Sequence, residues 1–297
     1  MATTDKPTFS IIIPTYNRAE ALRHCLDSIE KQVFRDFEVL VCDDGSKDHT
    51  KEVVAFFENA GMNIRYFFNE NWGGPAFPRN IGIANARAEW VCFLDSDDSW
   101  LPRKLERCAA YINDVDFICH SFNITDGHVI KGKMTTISLD KDPFIRLMTR
   151  GNSIITSSVC VKKEVVQSLN GFPEDKTLVA VEDFDLWLRI ARAGYKMKVL
   201  DDCLGYYLEH DSNISYDADK QIGRLRNIYG KFMPFLNASQ RRRSIGILDY
   251  HIAVLEGKMD RTAAANKYYR SALMKGWIVV KVKAFLRLLY AMFKVKG

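Results

Sequence analysis

Three carboxylates, Asp95, Asp97 and Asp98, fall within four residues at the end of the apolar run Trp90-Val91-Cys92-Phe93-Leu94. A short run rich in Val, Phe and Leu reads as a buried strand. Charges packed that closely repel one another, so they need a compensating cation or open water. At the carboxyl end of a strand in an open α/β sheet, where ligands usually bind, a divalent metal holding a phosphate meets that need. A lone Asp-x-Asp is common by chance and reads as a solvated acidic turn before the next helix. The metal–phosphate reading gains here because a second pair, Asp43-Asp44, closes another apolar run upstream.

The elements that must position these carboxylates alternate. Phe9 to Ile13 is a strand stopped by Pro14, and Glu38 to Cys42 is a second. Between them Leu22, Leu26, Ile29 and Val33 recur at helical spacing, which predicts an amphipathic helix over Ala19–Gln32. Asp48 is placed to cap a helix from about Thr50 to Ala60, which Gly61 ends. Ile64 to Phe68 is a third strand, and after Gly73-Gly74-Pro75 a helix near Pro78–Ala86 leads into the strand at Trp90. Such alternation implies right-handed crossovers and a mostly parallel sheet with helices on both faces. Loops at the strand carboxyl ends then gather Pro14–Arg18, Asp43–Ser46, Asn69–Arg79 and Asp95–Ser99 along one rim, a nucleotide-sized site.

Beyond Leu101 the pattern predicts a helix from Pro102, a strand over Phe117–Phe122, loops with one short helix over 123–150, and a strand over Ile154–Val161. An acidic-started helix follows at Val181–Arg189, then two strands, Lys196–Leu200 and Leu204–Leu208. Residues 211–297 read as helices, with a hairpin formed by Ser244–Glu256 and Thr262–Lys275 around Gly257–Asp260. The expected division is therefore a domain over 1–210 and a helical region over 211–297.

Composition narrows the class further. The 297 residues are 47% hydrophobic and 27% charged, which suits a soluble protein with a substantial core. Seven cysteines, odd in number and never spaced as Cys-x-x-Cys, point to a reduced compartment with neither zinc nor a disulfide framework. No signal peptide is expected at the start, and no stretch reaches the roughly 18 uncharged apolar residues of a membrane span. The net charge of +5 is uneven: residues 211–297 carry 17 Lys/Arg against 6 Asp/Glu, leaving 25 against 31 before them. An acidic part suits a metal, and a basic part suits an anionic surface. The segment 277–296 sets Ile278, Val282, Phe285, Leu289, Met292 and Phe293 on one helical face, with Lys283, Arg287 and Lys294 opposite. Such a helix lies in a membrane interface, or packs its apolar face on the domain or a partner chain; Arg241-Arg242-Arg243 and their neighbours favour the membrane.

Taken together, Ile11–Arg18, Val41–Ser46, Arg79-Asn80, Leu94–Asp98 and Glu182-Asp183 resemble the inverting glycosyltransferases of family 2, which have the GT-A fold. The similarity covers residues 8–210. It implies sugar transfer from a nucleotide diphosphate donor, usually UDP-linked, with Mn²⁺ or Mg²⁺. The nucleotide-sugar contacts it implies are Pro14, Thr15, Tyr16, Arg18, Asp43, Asp44, Arg79, Asp95 and Ser96. Asp97 matches the carboxylate that binds the metal directly; Asp95 holds ribose or a metal-bound water, and His210 joins as a metal or diphosphate contact. Inversion needs a base opposite the leaving group, and by resemblance this is Asp183, supported by Glu182.

Each assignment has a structural counterpart. Tyr16 stacks on a base or packs beneath its loop, and Asp44 meets uracil or ribose or shapes the turn at Gly45. Arg79 reads equally as a surface arginine, Asn80 as a helix cap, and His210 as an exposed histidine. Asp183 and Glu182 also oppose a helix dipole, and Trp187 lines an acceptor pocket or fills the core. The near-miss phosphate loop Gly127–Met134 lacks the Ser/Thr that Mg²⁺ needs, and no Gly-x-Gly-x-x-Gly follows the first strand. The leading expectation is a peripheral enzyme of the cytoplasmic membrane face, acting on a saccharide or lipid-linked saccharide in polysaccharide, lipopolysaccharide or glycan assembly. A non-catalytic nucleotide-sugar-binding scaffold and a nucleotide-sugar pyrophosphorylase are the alternatives, and no nucleic-acid partner is indicated.

Overall fold

The computed structural model describes residues 6–208 and 217–294. Two compact units form. One comprises residues 1–140 and 153–210; the other comprises 141–152 and 211–297. The second unit thus borrows a segment from the middle of the chain, which a linear division at residue 210 does not contain.

The first unit is built on β1 (Phe9–Thr15), β2 (Phe37–Asp43), β3 (Ile64–Phe68) and β4 (Trp90–Phe93), with helices α1 (Ala19–Glu30), α2 (Thr50–Asn59) and α3 (Ala76–Asn85) in the crossovers. These four strands are all parallel, in the order β3-β2-β1-β4. Their side chains alternate between two helix-covered faces. Ile11 and Ile13 of β1 join Val39 and Val41 of β2 against Leu22, Leu26 and Ile29 of α1 and Val53 and Phe57 of α2. Ile12 faces the other way, where a Cβ on Gly82 of α3 would come within 2.4 Å of its Cγ2. Burial on both faces explains the nearly unbroken apolar sequence of these strands.

The second half of the sheet is mixed. A short β5 (Ser99–Trp100) precedes α4 (Lys104–Ala109), β6 (Phe117–Thr125) and β7 (Ile130–Met134). After α5 (Pro143–Arg150) come β8 (Cys160–Lys162), α6 (Lys163–Ser168), α7 (Glu182–Arg192) and β9 (Met197–Leu208). Strand β8 lies antiparallel between β4 and β6, β9 runs parallel to β6, and β5 and β7 add antiparallel edges. Two expectations change here. Residues 154–159 form no strand; Thr156–Ser158 is a 3₁₀ turn from which the Thr156 and Ser157 hydroxyls bond outward, and only Cys160–Lys162 pairs. The two strands expected over 196–208 are one, because register shifts opposite Cys119–Asn123 absorb the polar Asp201-Asp202 interruption.

The register fixes the functional rim. Thr15 pairs with Asp43, and the Leu94 amide donates to the Ile12 carbonyl, so β1, β2 and β4 deliver their following loops to one edge. In the other unit, α8 (Ala218–Phe232), α9 (Ala238–Lys258), α10 (Thr262–Lys275) and α11 (Ile278–Lys294) join α5, which packs on α9. Helices α9 and α10 form the expected hairpin; a Cβ on Gly246 of α9 would lie 2.3 Å from the Gly276 amide, so the chains touch backbone to backbone.

Candidate active site

Arg79 ties the rim together. Its side chain, 3% exposed, leaves α3 and donates to Asp95 Oδ1 at 2.6 Å and to Glu182 Oε1 at 2.7 Å, with its guanidinium over the Phe172 ring. One buried cation therefore joins the loop after β4 to the first turn of α7. Burial opposes its charge, but Asp95 and then Glu182 hold the guanidinium above its ordinary range. The neighbouring Asn80 clasps the loop before α7: it donates to the Phe172 carbonyl and accepts from the Phe172 amide, both at 2.9 Å. Neither residue is a free surface side chain or a helix cap.

The carboxylate loop is braced from below by Ser157, whose hydroxyl accepts from the Asp95 amide at 3.0 Å and donates to Asp98. Asp97 pairs with Arg18 from the loop after β1. Burial first, and then Asp97 and Asp95, push the Asp98 carboxyl well above its usual range, so the three neighbouring carboxyls of this loop resist being charged together. Among the described residues no group of three or more His, Cys, Asp or Glu side chains converges at metal-binding geometry. The excess of hard oxygen donors nevertheless suits a divalent cation accompanied by phosphates, which needs only one or two carboxylates.

Asp183 stands at the first turn of α7, beside Glu182. Its Oδ2 accepts from the Thr156 hydroxyl at 2.9 Å and its Oδ1 from the Phe184 amide at 2.6 Å. Burial and the adjacent Glu182 raise its carboxyl to about 7, against the lowering pull of Arg79 and the two hydrogen bonds. A carboxyl with a pKa near neutral can both hold and release a proton at working pH, which is the property a general base needs. The adjacent residues Thr156 and Ser157 thus hold Asp183 with one hydroxyl and the Asp95–Asp98 loop with the next. Sequence reasoning missed both, having placed them in a strand; the polar Thr156-Ser157-Ser158 triplet inside an apolar run was the available signal.

The nucleotide-side residues divide. Tyr16 is 46% exposed on the rim, open to a ring stacked upon it. Asp44 is buried and accepts from the Trp72 amide at 2.7 Å and the Gly73 amide at 2.9 Å, so it shapes the Asn71–Gly74 loop as well as its own turn. Asp43 accepts from the Ser46 amide and from Tyr66 Oη, which burial and this carboxylate hold above the usual phenol range. Pro14, Thr15 and Ser96 are buried beneath the rim. Trp187 is fully buried among Phe93, Phe117 and Phe172, a core residue. His210 and the side chains of Met292 and Phe293 lie outside the described residues.

Known proteins with these features can now be set beside the chain. Residues 10–161 match the model of the family described as glycosyl transferase family 2, and residues 90–294 match that of glycosyl transferase family group 2. The UDP-Glc:alpha-D-GlcNAc-diphosphoundecaprenol beta-1,3-glucosyltransferase WfgD of Escherichia coli is 30% identical over 75% of this chain and 86% of its own. The GalNAc(5)-diNAcBac-PP-undecaprenol beta-1,3-glucosyltransferase of Campylobacter jejuni is 26% identical over 98% of this chain and 89% of its own. Among solved structures, the mannosyltransferase PcManGT of Pyrobaculum calidifontis, in complex with GDP-Man and Mn²⁺, superposes with a TM-score of 0.65 at 18% identity over 97% of this chain and 81% of that one. S. aureus TarS in complex with UDP-GlcNAc gives 0.60 at 20% identity, covering 89% of this chain and 90% of that one. These likenesses establish the GT-A fold, and the family match across half the chain, joined to the identity with the E. coli enzyme, makes the protein a member of glycosyl transferase family 2.

Proposed function

We propose that the protein transfers a sugar from a UDP-sugar, with inversion, to a hydroxyl of a lipid-linked saccharide during polysaccharide assembly at the cytoplasmic membrane face. The observation that carries the reading is Asp183: a carboxyl raised to about 7 at a helix start, bonded through the Thr156-Ser157 pair to the Asp95–Asp98 loop. In this reading Asp183 takes the proton from the acceptor hydroxyl as that oxygen attacks the anomeric carbon. Glu182 keeps the base basic through its like charge and is itself held by Arg79. Tyr16 stacks on the nucleobase, Asp44 presents the Asn71–Gly74 loop to the donor, and Arg18 and Arg79 lie at the diphosphate.

Asp97 and Asp95, with His210, are the residues that would hold Mn²⁺ or Mg²⁺. Such an ion, when bound, neutralises charge growing on the departing diphosphate. In the present arrangement Arg18 neutralises Asp97 in its place. The acceptor class rests on likeness, since both bacterial relatives above are named for undecaprenol-linked substrates.

The membrane part rests on α11. Among the described residues no helix is long and apolar enough to cross a bilayer. Helix α11 nevertheless exposes Ile278, Val282, Phe285, Leu286 and Tyr290 while burying Val280 and Ala284. An exposed apolar stripe on a helix with Lys281, Lys283 and Arg287 suits the surface of an anionic bilayer.

The test combines the purified protein, Mn²⁺, a panel of nucleotide sugars and an undecaprenol-linked acceptor, scoring nucleotide release and the anomeric configuration of the product. One UDP-sugar is expected to turn over with inversion, and Asp183→Asn to abolish transfer while keeping UDP affinity. UDP binding without turnover in the unaltered protein would instead indicate a scaffold. Turnover undiminished by Asp183→Asn would remove the proposed base.

A further inference from the structure

The active site leaves one buried reactive cluster unused. Lys104, at the start of α4, is fully buried and has no carboxylate among its recorded partners. Its ammonium lies over the Trp100 ring and its Nζ donates to Cys160 Sγ at 2.8 Å. A nitrogen and a sulfur that only touch stand farther apart than that. Cys160 on β8 is also fully buried, sits directly across from Cys92 on β4, and receives hydrogen bonds from the thiols of Cys92 and Cys108. Burial alone would raise the Cys160 thiol, but those hydrogen bonds and the Lys104 charge hold it well below its ordinary range. A thiolate is the nucleophilic and oxidisable form of cysteine. The pair is thus an ammonium and a thiolate pressed together where water does not reach.

We propose that Lys104 and Cys160 form a reversible covalent crosslink in which one oxygen atom bridges Nζ and Sγ, with dioxygen as the oxidant. The reaction takes the Cys160 thiolate, the Lys104 ammonium and one molecule of dioxygen to the N–O–S bridge and one molecule of water. Two N–H bonds and the O–O bond break; one S–O bond, one N–O bond and the two O–H bonds of the water form. Sulfur and nitrogen lose two electrons each, and these reduce dioxygen; the two released protons leave in the water. A dithiol in excess reverses the reaction, returning the free thiol, the free amine and water.

The location gives the crosslink a consequence. Lys104 follows Asp98 in the chain and Cys160 follows Ser157, and Asp98 and Ser157 are already hydrogen-bonded. The bridge therefore closes the frame around the Asp95–Asp98 loop at its far side, fixing α4 to β8.

The unaltered full-length protein, prepared reduced under argon and then exposed to air-saturated buffer, tests the proposal by intact mass and by tryptic digestion. The expected product is heavier by one oxygen less two hydrogens, reverts with dithiothreitol, and yields a joined peptide pair in which cleavage after Lys104 is blocked. Lys104→Arg and Cys160→Ser are each expected to lose this product. Because either change disturbs a buried pair, Cys203→Ser, whose thiol donates to Asn123 and not to the cluster, serves as the folded control that keeps it. A gain of whole oxygens marks simple cysteine oxidation, and a loss of two hydrogens marks a disulfide of Cys160 with Cys92 or Cys108. Either of those results, or an unchanged mass, overturns the crosslink, and none of them bears on sugar transfer.

Discussion

At the scale of single residues, Asp183 as the proposed base has to be ionised, yet its surroundings resist ionisation. Its carboxyl sits at about 7 because burial and Glu182 outweigh Arg79, Thr156 and the Phe184 amide. The acid limb of kcat/KM against pH, which reports the free enzyme, should therefore bend near pH 7. Thr156→Val removes a hydrogen bond that favours the charged form, so the limb should move to higher pH, by up to about one unit, with activity recovering in alkaline buffer. A limb that stays in place would deny Thr156 its role in positioning and tuning the base. The same shift affects stability. An unfolded aspartate gives up its proton near pH 4 while the folded one keeps it to about 7, so the folded state loses stability as pH rises between them and stays penalised above. Asp183→Asn should accordingly raise unfolding stability by roughly 1–3 kcal/mol above pH 7, an advantage that vanishes near pH 4. Urea titrations at the two pH values measure it. The residue type and the site were legible in the sequence. The pKa was not, because it depends first on burial, and then on the balance of Glu182 against Arg79 and Thr156, which only the folded chain brings about.

At the scale of elements, the site depends on how closely α3 lies on the sheet. Gly82 faces Ile12 so tightly that an added Cβ would stand 2.4 Å from Ile12 Cγ2 and 3.2 Å from Cys42 Sγ. Arg79 is one turn earlier on the same helix, so any lift of α3 draws the guanidinium away from Asp95 and Glu182. Gly82→Ala should cost about 1–3 kcal/mol through overpacking, visible in thermal unfolding. It should also weaken UDP affinity, although it touches no proposed ligand atom; unchanged affinity would show that α3 does not set the Arg79 position. The crossovers were readable because each strand of the parallel half is a mostly apolar run and each helix keeps its period. The second half was harder. Thr156–Ser158 carries no hydrophobic alternation, and its 3₁₀ turn is fixed by distant partners at Asp95, Asp98 and Asp183. The bend in β9 likewise arises from pairing with β6, which local sequence does not encode.

At the scale of the whole molecule, the excess of basic charge and the main exposed apolar stripe fall in the same C-terminal stretch of the chain. Residues 211–297 carry 17 Lys/Arg and 6 Asp/Glu, and the largest run of exposed apolar side chains lies on α11 in the same region. The expected basic amphipathic helix therefore appears, although the sequence pattern does not mark which residues stay exposed. Val280 and Ala284 pack inward, whereas Phe285 and Leu286, at 49% and 58% exposure, face out. Deleting the helix would strip Val280 and Ala284 from the interior of its unit and confuse unfolding with lost binding. Substituting Phe285→Ser and Leu286→Ser together avoids that, because both side chains are already outside the core. Transfer of each from water into a bilayer interface is worth on the order of 1 kcal/mol or more, so the double variant should bind anionic vesicles at least about tenfold more weakly. Raising salt should weaken binding of the unaltered protein as well, since the lysines and arginines act across a screened distance. Sedimentation with phosphatidylglycerol vesicles, beside a measurement of UDP affinity expected to stay constant, decides the matter. Equal partition of the variant and the unaltered protein would assign the stripe on α11 to something other than the membrane.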